Sequence, residues 1–264
     1  MSAAQVGQLL GALGTSHILA FFLVLARIGP LFVLAPLFSS SYLPPQVRIV
    51  LAIGLAIGMT GIADHGQHIP GSPLALVGLV LEQFLVGGAL AFAVAAMFAA
   101  IQSAGSILDA AAGFSFGAML NPLTGTQDAI LTQLYTLVGT GIFIAFGGDG
   151  WVLRGLGKTF ALVPLTGSVA LRSVVGGSVS LFANIFVAAL EVAAPVVLAV
   201  LVTDIAFGML SRVVPQLNVY AVGFPVKVGV ALIAVTVSLP FVGGFIGGQL
   251  PGSIGGALRE LAAF

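Results

Sequence analysis

Of the 264 residues, 59% are hydrophobic and 6% are charged, and eight basic against eight acidic side chains give a formal net charge of zero. A soluble domain of this size would be roughly a quarter charged, so the composition makes lipid the solvent and excludes both a basic stripe for nucleic acid and an acidic tail for a basic partner. With no cysteine in the chain, disulfides, thiolate metal sites and thiol nucleophiles are excluded too.

The first 22 residues lack the positively charged region of a secretory signal, and the apolar run that follows is too long for a signal core alone. They are expected to open a first membrane segment that stays on the protein. Apolar segments run from Ile18 to Phe38, Val47 to Ile62, Leu74 to Ile101, Ala129 to Phe146, Val179 to Leu210 and Val219 to Ile246. They predict an all-α membrane protein of about six helical segments, near or above the ~20 residues that a span needs except for the short second one. Together they form a single integral membrane domain over residues 1–264. Pro44-Pro45 closes the loop after the first segment, and the PGSP run from Pro70 to Pro73 precedes the third. Pro195, inside the fifth, predicts a kink or break.

Glycine occurs 36 times, and Gly54 with Gly58, and Gly243-Gly244 with Gly247-Gly248, have the small-xxx-small spacing that lets helix backbones approach closely. With six conventional spans, Arg48 and Arg212 fall on one side and Arg154, Lys158, Arg172 and Arg259 on the other. That split favours a cytoplasmic N-terminus, provided the connection over residues 102–128 does not re-enter the membrane.

Most sequence patterns that imitate catalysis lack their context. Gly113-Phe114-Ser115-Phe116-Gly117 spells a nucleophile elbow, but that motif needs a histidine later in the chain, and His17, His65 and His68 all come earlier. Gly157-Lys158-Thr159 resembles the end of a phosphate-binding loop, yet Val152 stands where the pattern requires glycine, so a polar connection is expected there. Asp64, His65 and His68 fall in a short Gly/Pro-rich loop with too few ligands to hold a metal. No catalytic group, cofactor or metal site is expected.

The ionisable groups inside apolar segments are Arg27, Glu82, Asp109, Glu191, Asp204, Arg212 and Lys227. Such groups mark a polar pathway or pair with one another, because a lone buried charge is expensive. Several concentrate between Thr203 and Lys227, together with Pro215, Gln216 and Asn218. Asp204 and Arg212, about 2.2 helical turns apart, would lie on neighbouring faces without being obliged to pair.

That last stretch also carries a resemblance. Asp204, Gly208, Arg212, Pro215-Gln216, Asn218-Val219, Pro225 and Lys227 are similar, in order and spacing, to the late signature of the FliR family of flagellar export-gate membrane proteins, whose injectisome counterpart is SctT. Arg27, Pro36, Leu43-Pro44 and Arg48 resemble its first segment and loop. Ala104-Gly105, Asp109, Gly113-Phe114-Ser115, Asn121-Pro122 and Gly125 resemble its central loop, although Ala111 stands where many members carry glutamine.

The resemblance implies a FliP-like portion followed by a FliQ-like helical hairpin, with bent or broken hairpins partly lifted from the bilayer plane. It implies a non-enzymatic subunit in the bacterial inner membrane, at the flagellar basal body. FliP and FliQ are the implied assembly partners, FlhB and FlhA the neighbours, unfolded flagellar proteins the substrates and lipid the surroundings. It further implies a pore plug formed by Gly113, Phe114, Phe116, Gly117, Met119 and Pro122. Arg27, Glu82, Asp109, Glu191, Asp204, Arg212, Gln216, Asn218 and Lys227 are then expected as buried polar or assembly residues. Bottom-up, glycines that free the backbone beside bulky apolar side chains suit a hydrophobic seal.

Overall fold

The computed structural model describes residues 3–39, 43–63, 67, 69–70, 72–114, 130–169, 171–214, 216 and 218–262. All regular structure among them is helical: α1 (Ala3–Leu34), α2 (Pro36–Ser39), α3 (Pro45–Ala63), α4 (Pro73–Ala112), α5 (Ile130–Ala145), α6 (Gly148–Leu162), α7 (Leu171–Val213) and α8 (Val219–Ala262). Proline opens α2, α3 and α4, where its missing N–H is no loss and its fixed φ suits a helix start. Asn218 caps α8 by accepting the Ala221 N–H at 3.1 Å. Asp149 sits in the first turn of α6, at the positive end of the helix dipole.

Among the described residues, five helices are long and apolar enough to cross a membrane, or six if the bent pair α5 and α6 is taken as one broken span. Gly147, at φ 66°, supplies the left-handed residue at that bend. Pro195 does not break the helix, since α7 continues through it as one element of 43 residues.

Three helices outrun their apolar windows. α4, α7 and α8 contain 40, 43 and 44 residues, and 40 residues alone reach ~60 Å, roughly twice the hydrocarbon core. Alanine, serine and glycine beyond each window permit further helix, and nothing stops α4 until Gly113. An orientation counted from charges assumes ordinary spans and loses its footing in helices this long. Residues 148–162, expected as a polar connection around Gly157-Lys158-Thr159, are helix α6 instead. The last segment, expected to end at Ile246, continues as α8 to Ala262.

The chain divides into two compact units. The first comprises Met1–Ala95, Asp149–Leu181 and Pro251–Phe264, the second Ala96–Gly148 and Phe182–Leu250. In the first, α3 packs on α1, and Val86, Val163, Val174 and Leu261 form a buried cluster. In the second, Phe98 and Phe143 meet at 5.2 Å between ring centroids, while the buried Tyr135 and Ser238 hydroxyls share a hydrogen bond of 2.8 Å.

Large apolar side chains also face outward in both units, among them Val50, Ile57 and Leu74 in the first and Leu198, Val202, Ile233 and Val237 in the second. A water-soluble surface would not carry so many. Lipid, or helices of other chains, would cover them.

Candidate functional site

Two of the charges singled out in apolar segments are buried, and neither has a charged partner among the described residues. In the first unit, Arg27 of α1 is fully buried. Its Nε donates to Gln83 Oε1 at 2.6 Å, one terminal nitrogen to Thr159 Oγ1 at 3.4 Å, and the other to the Val163 carbonyl at 2.8 Å. The ring of Phe160 lies 4.4 Å from the guanidinium carbon. Val163 directly follows α6, so the arginine answers a carbonyl that the helix leaves without a partner, at the negative end of the helix dipole. Gln83 completes the cluster by donating Nε2 to the Leu165 carbonyl at 3.0 Å.

The second buried charge is Asp109, near the end of α4 in the second unit and 1% exposed. Its carboxylate accepts the Leu131 N–H at 2.9 Å, the Thr132 N–H at 2.8 Å and the Thr132 hydroxyl at 2.7 Å. Here an anion answers the free N–H groups that begin a helix, the converse of the arginine.

Each cluster also depends on an α4 glycine. A side chain at Gly87 would collide with the Arg27 carbonyl, and one at Gly105 would lie 2.6 Å from the Thr132 Cα. By contrast, Gly54, Gly58, Gly243, Gly244 and Gly248 face nothing within 4 Å, and Gly247 meets only the Phe146 ring. The small-xxx-small pairs are therefore not the places where this chain brings its own backbones together. Gly87 and Gly105 do that, and neither stands in the repeats that were counted.

The remaining singled-out residues are placed differently. Glu82 is half-buried, while Glu191, Asp204, Arg212, Gln216 and Asn218 are exposed and Lys227 is half-buried on this chain. An apolar neighbourhood in sequence did not mean burial, because many of those apolar neighbours face outward too. Asp204 pairs not with Arg212 but with Lys227, Nζ to Oδ2 at 2.8 Å, joining α7 to α8. Asn218 serves locally as the helix cap described above.

Of the expected plug, Gly113 and Phe114 are described. Gly113, at φ 89°, ends α4, and its amide and that of Phe114 both donate to the Asp109 carbonyl, at 3.1 and 3.0 Å. Phe116, Gly117, Met119 and Pro122 lie outside the described residues, as do Ser115, Asp64, His65 and His68.

Gln83, Thr159 and Ser238 are buried polar residues that sequence reasoning passed over. Thr159, expected in a polar connection, also donates to the Leu156 carbonyl at 2.7 Å within α6. None of the buried side-chain polar atoms among the described residues lacks a partner, so the polar groups inside both units are satisfied, as a low-dielectric interior requires.

Long apolar helices, one pair sharply bent, and buried charges answered by helix ends define an all-helical membrane protein. Residues 18–251 match the family described as bacterial export proteins, family 1, and the chain belongs to that family, the FliR family. The flagellar biosynthetic protein FliR of Bacillus subtilis (strain 168) is 30% identical over 84% of this chain and 87% of its own length. The FliR of Escherichia coli (strain K12) is 26% identical over 85% and 86%. The surface presentation of antigens protein SpaR of Shigella flexneri is 24% identical over 77% and 78%.

Proposed function

We propose that this chain is a structural, pore-forming subunit of the flagellar type III protein export gate in the bacterial inner membrane. The observation that carries this reading is the family match over residues 18–251, joined to relatives named flagellar biosynthetic protein FliR along most of both chains. As a component of a flagellar or type III export apparatus, it assembles with FliP and FliQ, has FlhB and FlhA as neighbours and passes unfolded flagellar proteins. The outward apolar surfaces of both units support a subunit that packs against helices of other chains. No catalytic role is assigned to it.

Within that gate, the loop after α4 acts as the plug. Gly113 turns the chain out of α4, and Phe114 with Phe116 and Met119 supplies bulky apolar groups for a dewetted constriction. An injectisome role, drawn from the SpaR relatives at 24–25% identity, is the second reading.

Purification from detergent tests the assignment. The chain is expected to bring FliP-like and FliQ-like proteins with it, and its deletion to stop motility by stopping export of flagellar subunits. A self-contained homo-oligomer that moves a small solute in liposomes would replace the gate with a transporter. For the plug, the triple variant Phe114→Ala, Phe116→Ala, Met119→Ala is expected to leak ions, and unchanged conductance overturns that part.

A further inference from the structure

Asp109 makes two kinds of contact that serve different helices. Its main-chain carbonyl receives the amides of Gly113 and Phe114 at 3.1 and 3.0 Å, the six-to-one wrap that stops a helix at a left-handed glycine. Its carboxylate receives three donors from the first turn of α5. A helix start is usually capped by the residue just before it, but Ala129 has no side-chain acceptor. The cap comes instead from a neighbouring helix, held close by Gly105 against the Thr132 backbone. One residue therefore secures Gly113 and Phe114 at the end of α4 and the first turn of α5.

The chemistry explains why an aspartate stands there. A carboxylate only accepts, with lone pairs enough for three converging donors. An asparagine would turn an N–H₂ toward one of them. The negative charge also suits the start of a helix.

We propose that Asp109 is the positioning residue of the central loop, clamping its two ends in support of the ion-tight barrier. The consequence for the barrier rests on the plug reading above. The clamp itself rests on the hydrogen bonds at Asp109.

The test compares Asp109→Asn, Thr132→Val and Thr132→Ser in the assembled membrane complex, with hydrogen exchange over residues 130–136 and ion conductance across a planar bilayer as separate readouts. Asp109→Asn is expected to speed exchange of the Leu131 and Thr132 amides about tenfold, the loss of one charge-assisted bond, and to raise conductance at unchanged complex yield. Thr132→Ser, which keeps both donors, is expected to match the natural protein in both readouts, and Thr132→Val to fall between. Should Asp109→Asn not assemble, the contrast between Thr132→Val and Thr132→Ser decides.

Unchanged exchange in both Asp109→Asn and Thr132→Val overturns the clamp. Faster exchange with an ion-tight barrier, while the triple alanine variant of the plug leaks, leaves the plug standing and overturns the positioning role. If the triple variant does not leak either, the plug reading falls, and the positioning role with it.

Discussion

Arg27 and Asp109 solve the same problem with opposite signs. Each is a charge inside an apolar helix, buried in its own unit, and each is answered by the unpaired end of another helix rather than by a counter-ion. The arginine takes the carbonyl that follows α6, the aspartate the amides that begin α5. An α4 glycine clears the approach in both cases. The difference lies in what the contact secures. Arg27 reaches two side chains and one carbonyl on two other segments and acts as packing glue, whereas Asp109 brackets a connection. Burial of charge in this protein thus locks helix ends, whereas the more exposed pair of Asp204 with Lys227 links two helices.

The largest test is Arg27→Leu. It strands the Gln83 side-chain oxygen and the Val163 carbonyl without donors, and a loss of about 1–3 kcal/mol for each is expected, read as a fall in detergent-solubilised yield and melting temperature. Arg27→Lys, which keeps charge but not the fork of donors, is expected to recover only part of it. Equal stability in Arg27→Leu would break the symmetry between the two clusters.

Next come the glycines. Gly87→Ala and Gly105→Ala each press a methyl group into backbone, for an expected cost of about 1–3 kcal/mol or more. Gly54→Ala, with nothing within 4 Å, is expected to stay within about 0.5 kcal/mol in the isolated chain. A thermal melt of the three side by side separates contacts inside the chain from open helix surface. A Gly54 variant that melts normally yet fails to enter the complex would mark that surface as a partner contact.

The smallest expected effect is that of Lys227→Ala. Its partner Asp204 has a side chain 49% exposed, and such a pair contributes about 0–1 kcal/mol. The melting temperature of the chain alone is expected to hold within a few degrees. A large drop in complex yield beside that small change would assign the pair to a neighbouring subunit.

Much of the fold was legible because the physical signals are local. Apolar runs long enough for a bilayer, and prolines at helix starts, locate α3 and α5 within two residues at both ends and the starts of α4 and α8. The lengths of α4, α7 and α8 were not legible, since alanine, glycine and serine neither demand nor forbid further helix. Charges in apolar runs pointed to Arg27 and Asp109, but Gln83, Thr159 and Ser238 gave no such signal. A hydroxyl in an apolar helix can satisfy itself on its own backbone, as Thr136 does on the Thr132 carbonyl. Whether it also reaches another helix depends on residues far away in the chain.

By itself, the amino-acid sequence determined the solvent, the helical class, the family and the short set of charges that had to be explained. Only the tertiary structure decided which of those charges lie inside. The reason is that lipid-facing and protein-facing positions are both apolar here, so no periodic pattern separates them. Arg27 meets Val163 across 136 residues, and no spacing along one helix encodes that meeting.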